Sequence, residues 1–308
     1  MLIISGQVRY DTTRRGMGVQ VRAGGDQEFD ITAAVKCMTK YCEMIEDPTR
    51  IRYALERALY LATHGRPGPC WIDIPVDFQG RLIETDSLSG YDPSEDSDAL
   101  PPRVSERDID AVIEQIKSSR RPVLYAGNGI RLSGGFEAFE SVVESLNIPV
   151  VTGWNSIDAI PDAHRLYVGR GGIMGDRAGN FAVQNADLVL AVGNRLSIRQ
   201  VGYNWKTWAK GAFVVMVDAD AEELKKPTLH VDMPIHADAK DFLTKLNAAA
   251  TDKVFEGGLW NETCQRWKRD YPAVLPRQWE ENGKTANVYA FVKYLSSKLP
   301  ENSLTAVS

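Results

Sequence analysis

The stretch RPVLYAGNGI, Arg121 to Ile130, decides the fold of this chain. Val123 to Ala126 is an apolar run of strand length, and the turn Gly127-Asn128-Gly129 follows it directly. Apolar residues at helical spacing come next: Phe136, Phe139, Val143 and Leu146. A strand, a glycine-rich turn and a helix in this order are typical of an open parallel α/β sheet.

The same alternation continues on both sides of this stretch. Ser105, with Asp108 three residues later, resembles a capping box at the start of a helix. Further buried strands are predicted at Ile148–Thr152, Leu188–Val192 and Phe213–Val217. We therefore predict a doubly wound, parallel-sheet central domain over residues 104–247.

The regions on either side of residues 104–247 show a less complete alternation of strands and helices. Residues 1–79 predict a partial α/β domain, with a buried strand at Leu2–Ser5, a short strand at Lys40–Ile45, a helix after Asp47-Pro48 and a strand at Cys70–Ile74. Residues 80–103 are polar and aperiodic, which indicates a linker. Residues 248–308 predict a short helical segment, with helices near Trp260–Tyr271 and Val288–Leu299 and a strand beginning at Ser303–Val307.

Composition excludes several functions. The net charge of −5 gives no basic patch for nucleic acid or anionic membranes. The longest apolar runs have strand length, and no signal peptide is evident, so a cytoplasmic location is expected. The four cysteines and four histidines are scattered rather than clustered, which predicts reduced thiols and no metal site.

Gly127 and Gly129 are the first candidate site residues. A glycine-rich turn between a strand and a helix allows the backbone to approach a phosphate. The dinucleotide pattern GxGxxG fails, because Leu132 occupies its third position. A tight connection without a ligand is equally consistent with the pattern, and both interpretations stay open.

Two further loops are expected at the ligand edge of the sheet. They are GRGGIMGDRAGN, Gly169 to Asn180, and GNR, Gly193 to Arg195. Their arginines favour anion binding over solvated surface positions: Arg170, Arg177, Arg195 and Arg199. Asp218 follows a strand, where it either binds a ribose or caps the next helix.

Two motifs have mainly structural interpretations. In GGDQEFD, Gly24 to Asp30, the carboxylates suit helix capping more than acid–base chemistry. In Tyr203–Trp208, aromatic residues flank a lysine, and packing or an oligomer contact is favoured over base stacking.

Together these segments resemble the thiamine-diphosphate-dependent enzyme superfamily, closest to acetolactate-synthase-like proteins. The resemblance covers nearly the whole chain in the family's order. It is carried by LIISGQ, GDQEFDI, MTKYCE, GRPGPCWIDIPVD, RPVLYAGNGI, NIPVVTGWNSIDAIP, GGIMGDRAGNFAVQNADLVLAVGNRL and VDADAEELKK.

The resemblance implies three domains: a pyrimidine-binding domain ending in residues 1–79, the central domain, and a diphosphate-binding domain starting within residues 248–308. It implies thiamine diphosphate and Mg²⁺ as cofactors of the complete enzyme, and FAD or another nucleotide in the central domain. Gln27 matches the glutamine that faces the cofactor, and Arg195 an arginine near the flavin. The positions where such enzymes bind FAD are Gly127, Gly129, Gly172, Gly175, Arg195 and Asp218.

The sequence departs from the family at two positions, since Asp26 replaces a phenylalanine and Val76 a lysine. The family's catalytic glutamate is expected upstream of Met1, and its GDG metal–diphosphate motif downstream of Ser308. We therefore expect an incomplete or short form of an enzyme acting on a 2-keto acid, and no turnover by this chain alone. A homodimer or homotetramer is implied. The alternatives are a non-catalytic nucleotide-binding module and a structural or dimerisation remnant.

Overall fold

The computed structural model describes residues 1–250, 253–280, 285–300 and 302–305. The chain forms two compact units, Met1–Pro102 and Arg103–Ser308. Each unit is built around its own parallel sheet with flanking helices, so the predicted α/β class is confirmed.

The first unit contains a small parallel sheet. Among the described residues its strands are β1 (Leu2–Gln7), β2 (Tyr41–Met44) and β3 (Cys70–Pro75), in the order β1-β3-β2. All three were expected from the sequence. The interpretation of β1 as a buried strand is wrong, because β1 lies at the edge of this sheet and Ile4 is 56% exposed.

The helices of the first unit are α1 (Arg14–Met17), α2 (Ile31–Val35), α3 (Ile51–Thr63) and α4 (Val76–Gln79). The predicted start of α3 is confirmed, since Asp47 accepts a hydrogen bond from the Thr49 N–H at 2.9 Å ahead of a short 3₁₀ turn. The buried face of α3 packs on β3 and forms the core of this unit.

The polar segment 80–102 packs against α3 within the same unit. It forms two 3₁₀ turns, Thr85–Ser87 and Pro93–Ala99. Arg57 of α3 binds both carboxylate oxygens of Asp96, at 2.7 and 2.8 Å. The Tyr91 hydroxyl donates to the same carboxylate at 2.8 Å. A segment without periodicity is thus held in place by side-chain contacts.

The second unit is a doubly wound sheet. Its parallel strands have the spatial order β6-β5-β4-β7-β8-β9, in which the chain starts in the middle, builds one side and then returns to build the other. The strands in the described residues are β4 (Pro122–Ala126), β5 (Val150–Thr152), β6 (Tyr167–Arg170), β7 (Leu188–Val192), β8 (Phe213–Asp218) and β9 (Met233–His236). The two edge strands, β6 and β9, are the ones that the sequence did not predict.

Helices cover both faces of this sheet. The helices are α5 (Glu106–Ser118), α6 (Gly129–Leu132), α7 (Phe136–Leu146), α8 (Arg177–Asn185), α9 (Ile198–Val201), α10 (Ala239–Ala249), α11 (Gly258–Asp270) and α12 (Val288–Ser296). One core contains the apolar faces of α5, α7 and α10, and the other contains those of α8 and α11. Ser105 caps α5 as predicted, accepting from the Asp108 N–H at 3.1 Å.

The C-terminal region contributes directly to the second core. Trp260 of α11 is buried, and its Nε1–H donates to the Pro122 carbonyl at 2.9 Å. Helix α11, which lies in the region predicted as a linker and domain start, therefore packs on the sheet of the second unit. Residues 303–305 form no strand, and Ala306 and Val307 of the predicted strand lie outside the described residues. No described helix has both the length and the apolar character needed to cross a membrane.

Candidate functional site

The strand order of the second unit locates the candidate site. In doubly wound sheets, ligands bind at the carboxyl edge where the strand order reverses. Here that point lies between β4 and β7, where the loop 127–129 meets the loop 193–196. The Gly127 N–H donates to the Val192 carbonyl at 3.0 Å, which joins the two strand ends. We call this region the switch-point crevice.

The glycines of the switch-point crevice allow the two loops to touch. A Cβ on Gly127 would lie 2.1 Å from the Gly193 carbonyl oxygen, and one on Gly129 would lie 2.7 Å from the Gly193 Cα. Both amides donate within the protein, that of Gly129 to the Gly193 carbonyl at 2.9 Å. A ligand beside these glycines would therefore meet a close backbone surface rather than free N–H groups.

The floor of the crevice is a polar network around one carbonyl. The Ala126 carbonyl accepts from the Gly153 N–H at 2.9 Å, the Ser156 hydroxyl at 2.9 Å and the Asn194 amide at 3.3 Å. Asn194 is only 4% exposed, and its Oδ1 has no hydrogen-bond partner in the described part of the chain. This oxygen is an acceptor without a partner, and it is shielded from solvent in this structure.

Asn194 was not among the site residues predicted from the sequence, although its neighbour Arg195 in the same GNR motif was. The signal that could have found it is its place immediately after an apolar strand and a glycine, at the expected reversal of strand order.

Gly172 and Gly175 lie in the loop after β6, which is attached to the same edge. Gly172 has a φ of +105°, and a Cβ there would lie 2.4 Å from the Arg199 carbonyl oxygen of α9. The Ile173 N–H donates to that carbonyl at 2.8 Å. Gly175 closes the loop by donating to Gly172 at 3.0 Å. The glycines predicted in this loop thus serve its tight attachment to α9.

Two of the four arginines are paired with carboxylates. Arg170 binds both oxygens of Asp176, at 2.9 and 2.7 Å. Burial raises the pKa of Asp176, but its hydrogen bonds to Arg170 outweigh burial and hold the pKa below its usual value. Arg177 lies over the Tyr271 ring at 5.9 Å. Arg199 is exposed and has no ion pair within the described residues.

Arg195 donates to the nearly buried carboxylate of Glu223 at 2.5 Å. Lys226 binds the other oxygen of Glu223 at 2.6 Å. Burial raises the pKa of Glu223, but Lys226 and Arg195 more than offset it and lower the pKa. Arg195 and Leu196 both have left-handed backbone, with φ of 63° and 45°. The predicted anion-binding arginine therefore sits on a strained loop with its charge already matched.

Asp218 ends β8, at the same edge as β7. Its carboxylate accepts from the Asp220 N–H at 3.0 Å, and that of Asp220 accepts from the Glu222 N–H at 3.0 Å. Asp218 thus shapes the turn that leads to the 3₁₀ helix Glu223–Lys225, close to the capping role proposed for it.

Exposed apolar side chains accompany these loops. They follow the carboxyl ends of β5, β6 and β7, and are Trp154, Ile173, Met174 and Tyr203. Trp205 and Trp208 instead pack in the core that also contains α8 and α11, which confirms the packing interpretation for that segment. An exposed apolar rim beside a polar floor suits a flat ring that carries hydroxyl groups.

Gln27 lies in the first unit and is described by itself. It is exposed and has a left-handed backbone, with φ of 64°. The neighbouring Glu28 holds the loop by accepting from the N–H groups of Gly24 at 2.6 Å and Arg14 at 2.7 Å. Asp30 caps α2 through the Ala33 N–H at 3.0 Å. The carboxylates of GGDQEFD thus serve the loop and the helix.

No cluster of histidine, cysteine or acidic side chains suited to a metal ion occurs in the described ranges. The cysteines are free thiols, with Cys70 and Cys264 buried. The prediction of unpaired thiols therefore agrees with the structure.

Residues 109–246 match the family described as thiamine pyrophosphate enzyme, central domain. The acetolactate synthase large subunit of Corynebacterium glutamicum is 31% identical over 289 residues, covering 90% of this chain and 43% of that protein. Acetolactate synthase 1 of Zea mays is 33% identical, covering 88% and 41%. Glyoxylate carboligase of Escherichia coli O157:H7 is 29% identical, covering 79% and 41%. The chain thus spans about two fifths of the length of these curated relatives.

Proposed function

Because this chain belongs to the thiamine-diphosphate-dependent enzyme superfamily and is acetolactate-synthase-like, we propose that it is part of a synthase or decarboxylase acting on 2-keto acids. The observation that carries the proposal is the match to synthase large subunits over 90% of the chain. The doubly wound sheet of the second unit supports it, because residues 109–246 match the family's central domain.

We propose that the described residues do not by themselves form a complete thiamine-diphosphate site. The diphosphate is held through a metal ion in the family that the chain resembles, and the described ranges contain no group of three or more histidine, cysteine, aspartate or glutamate side chains that could hold one. Gln27 is an exposed amide on a loop shaped by Glu28, so its side chain is accessible to a cofactor. We therefore assign no catalytic step to this chain and propose that it supports the reaction as scaffold.

For the second unit we propose a nucleotide ligand, with FAD and ADP as the leading candidates, at the switch-point crevice. The support is the reversal of strand order, the apolar rim and the unpartnered Oδ1 of Asn194. Since the amides of Gly127 and Gly129 are occupied, recognition would rest on the ring and the ribose hydroxyls. Arg199 is the cation placed to meet a phosphate.

The test is thermal unfolding of the purified chain with FAD, ADP, NAD and thiamine diphosphate with Mg²⁺. We expect a saturable rise in the melting temperature with FAD or ADP and none with thiamine diphosphate, because the proposed site is suited to a nucleotide. Trp154→Ala should reduce the rise, whereas Trp279→Ala, an equally exposed tryptophan elsewhere, should not. An unchanged melting temperature with every nucleotide would contradict the proposed ligand.

Assays of 2-keto acid consumption distinguish the scaffold role from catalysis by the chain alone. The purified chain with thiamine diphosphate and Mg²⁺ should show no turnover, because the proposed scaffold role gives it no catalytic step. Robust turnover would show that the chain contains a complete active site and would refute the scaffold role. Nucleotide binding without turnover leaves the second candidate function, a nucleotide-binding module, as the activity of this chain alone.

A further inference from the structure

The first unit contains a cavity of about 460 Å³ beside its edge strand β2. A volume of this size lies within the range of small-molecule pockets, about 300 to 1,000 Å³. Residues of α1, α2 and β2 and of the segment that follows β2 form its walls. The cavity contains none of the site residues predicted from the sequence and is independent of the nucleotide site proposed for the second unit.

The carboxylates in the wall of this cavity are already engaged within the protein. Glu43 accepts from the Arg50 Nε–H at 3.2 Å with one oxygen and from the Tyr41 hydroxyl with the other. Glu46 accepts from Arg15 at 3.1 Å. The acceptor groups of the wall therefore have little capacity left for a ligand.

Two cations in the wall, in contrast, keep free donors. Lys36 is exposed, and its ammonium group forms no hydrogen bond or ion pair with the residues that the structure describes. Arg50 uses its Nε–H for Glu43 and lies over the Tyr53 ring, 4.7 Å from the centroid. Both of its terminal nitrogens thus remain available to an acceptor. The unused hydrogen-bonding capacity of the cavity therefore suits an anion.

Arg15, the third cation of the wall, serves the frame of the cavity. Its Nη2 donates to both oxygens of Asp30, at 3.1 and 3.0 Å, and to the Thr32 hydroxyl at 2.9 Å, while its Nη1 binds Glu46. Asp30 is also the N-cap of α2, and Lys36 lies at the other end of this helix. The ion pair of Arg15 and Asp30 therefore helps to fix the helix that carries Lys36.

We propose that this cavity binds a short-chain organic carboxylate through Lys36 and Arg50. The lining also includes Ala33, Met44 and Cys42, which offer apolar surface and a thiol. Apolar walls beside two free cations suit a molecule with one charged end and one hydrocarbon end. Inorganic phosphate shares the charge, but it would leave the apolar walls without a partner.

Cys42 provides a readout inside the cavity. Its thiol is half-buried and donates to the Thr32 carbonyl at 3.4 Å, so a ligand beside it should slow its alkylation by iodoacetamide. Cys37 is exposed and does not line the cavity, so it is the internal reference. Peptide mass spectrometry measures both rates in the full chain at constant ionic strength.

Butyrate is the probe, with butyramide and inorganic phosphate as comparisons. Butyrate should slow the alkylation of Cys42 at least about threefold and leave the rate of Cys37 unchanged. We expect half-maximal protection at about 1 mM, because a small ligand with two ionic contacts binds weakly. Butyramide has the same chain without the charge and should not protect. Phosphate should need at least about a fivefold higher concentration, because it lacks the apolar contacts.

Variants test the two cations. Lys36→Gln and Arg50→Gln should each raise the half-maximal butyrate concentration at least about fivefold, measured against the ligand-free rate of the same variant. Arg52→Gln is the matched control, since the side chain of Arg52 is 50% exposed against 49% for Arg50 but binds Glu56 and does not line the cavity. Circular dichroism checks that each variant is folded.

Three outcomes would overturn the assignment. An unchanged Cys42 rate in about 20 mM butyrate, far above the expected half-maximal concentration, would show that the cavity holds no carboxylate. Phosphate as effective as butyrate would assign the cavity to a bare oxyanion. Protection that survives in both Lys36→Gln and Arg50→Gln would show that these cations do not hold the ligand.

Discussion

Gly127 and Gly193 touch across the switch-point crevice, so closely that a Cβ on Gly127 would lie 2.1 Å from the Gly193 carbonyl oxygen. The two residues are 66 positions apart and follow neighbouring strands, β4 and β7. The contact is between backbone atoms, which cannot move aside as a flexible side chain can. The crevice therefore depends on the absence of a side chain at this position.

Replacement Gly127→Ala should destabilise the second unit by about 3 kcal/mol, because the added methyl group forces two strand ends apart. Urea denaturation measures the loss. Gly211→Ala is the matched control, since a Cβ at Gly211 meets nothing within 4 Å. Equal stability of the two variants would show that the loops separate at no cost.

The central strands were predictable from sequence, whereas the edge strands were not. Leu188–Val192 is a continuous apolar run because β7 is buried on both faces and flanked by strands on both sides. The edge strand β6 reads YVGR and β9 reads MPIH. Their glycine and proline break the apolar pattern, which an edge position tolerates.

The site was only partly predictable for a similar reason. The sequence correctly brings Gly127, Arg195 and Asp218 to one edge, because carboxyl ends of parallel strands lie together. It does not show that the Glu223 carboxylate pairs with Arg195. Nor does it show that the Gly193 carbonyl accepts a hydrogen bond from the Gly129 N–H. These contacts join residues distant in the chain, and local spacing contains no information about them.

The pair of Arg57 and Asp96 should hold the segment 80–102 on α3. Hydrogen bonds from Arg57 lower the pKa of Asp96, and both side chains are mostly shielded from solvent. A double-mutant cycle with Arg57→Gln and Asp96→Asn should give a coupling of about 1.5 kcal/mol, above the usual value for exposed pairs. The exposed pair Glu114–Lys117 should give less than about 0.5 kcal/mol.

Limited proteolysis provides an independent readout of the same contact. Arg57→Gln should accelerate cleavage within residues 80–102, because the segment loses its bidentate attachment to α3. Unchanged cleavage, together with a coupling near zero, would mean that the segment is held by its other contacts with α3, which include the Tyr91 ring against Tyr53 and Tyr60 and the Tyr91 N–H donating to Glu56.

The four thiols should differ strongly in reactivity. Cys37 is exposed, whereas Cys70 and Cys264 are buried. Burial raises the pKa of the Cys264 thiol to about 12 and also raises that of Cys70. With an aromatic disulfide reagent at neutral pH, Cys37 should react at least about a hundredfold faster than either buried thiol, since the thiolate is the nucleophile.

Cys37→Ser should remove the fast phase, and denaturant should release Cys70 and Cys264. A fast phase that persists in Cys37→Ser at full amplitude would show that the half-buried Cys42 or a buried thiol is the reactive group.

Glu223 should make stability depend on pH. Lys226 and Arg195 hold its pKa below the ordinary glutamate value, so its carboxylate stabilises the folded state above the unfolded pKa of about 4.3. That contribution is lost as the pH falls through the lower folded pKa. Near pH 7, Glu223→Gln should cost about 2 kcal/mol, the scale of hydrogen bonds to a charged group.

The difference between wild type and Glu223→Gln should therefore shrink as the pH falls from about 4, and it should vanish below the lower folded pKa of Glu223, where both side chains are neutral. Urea denaturation at a series of pH values measures it. Glu222→Gln is the control, since Glu222 is exposed and forms an ion pair with Lys225 at 2.7 Å on the surface, so its cost should stay below about 0.5 kcal/mol. A Glu223→Gln deficit that is constant from neutral to acidic pH would show that packing, and not charge, gives Glu223 its role beside Arg195.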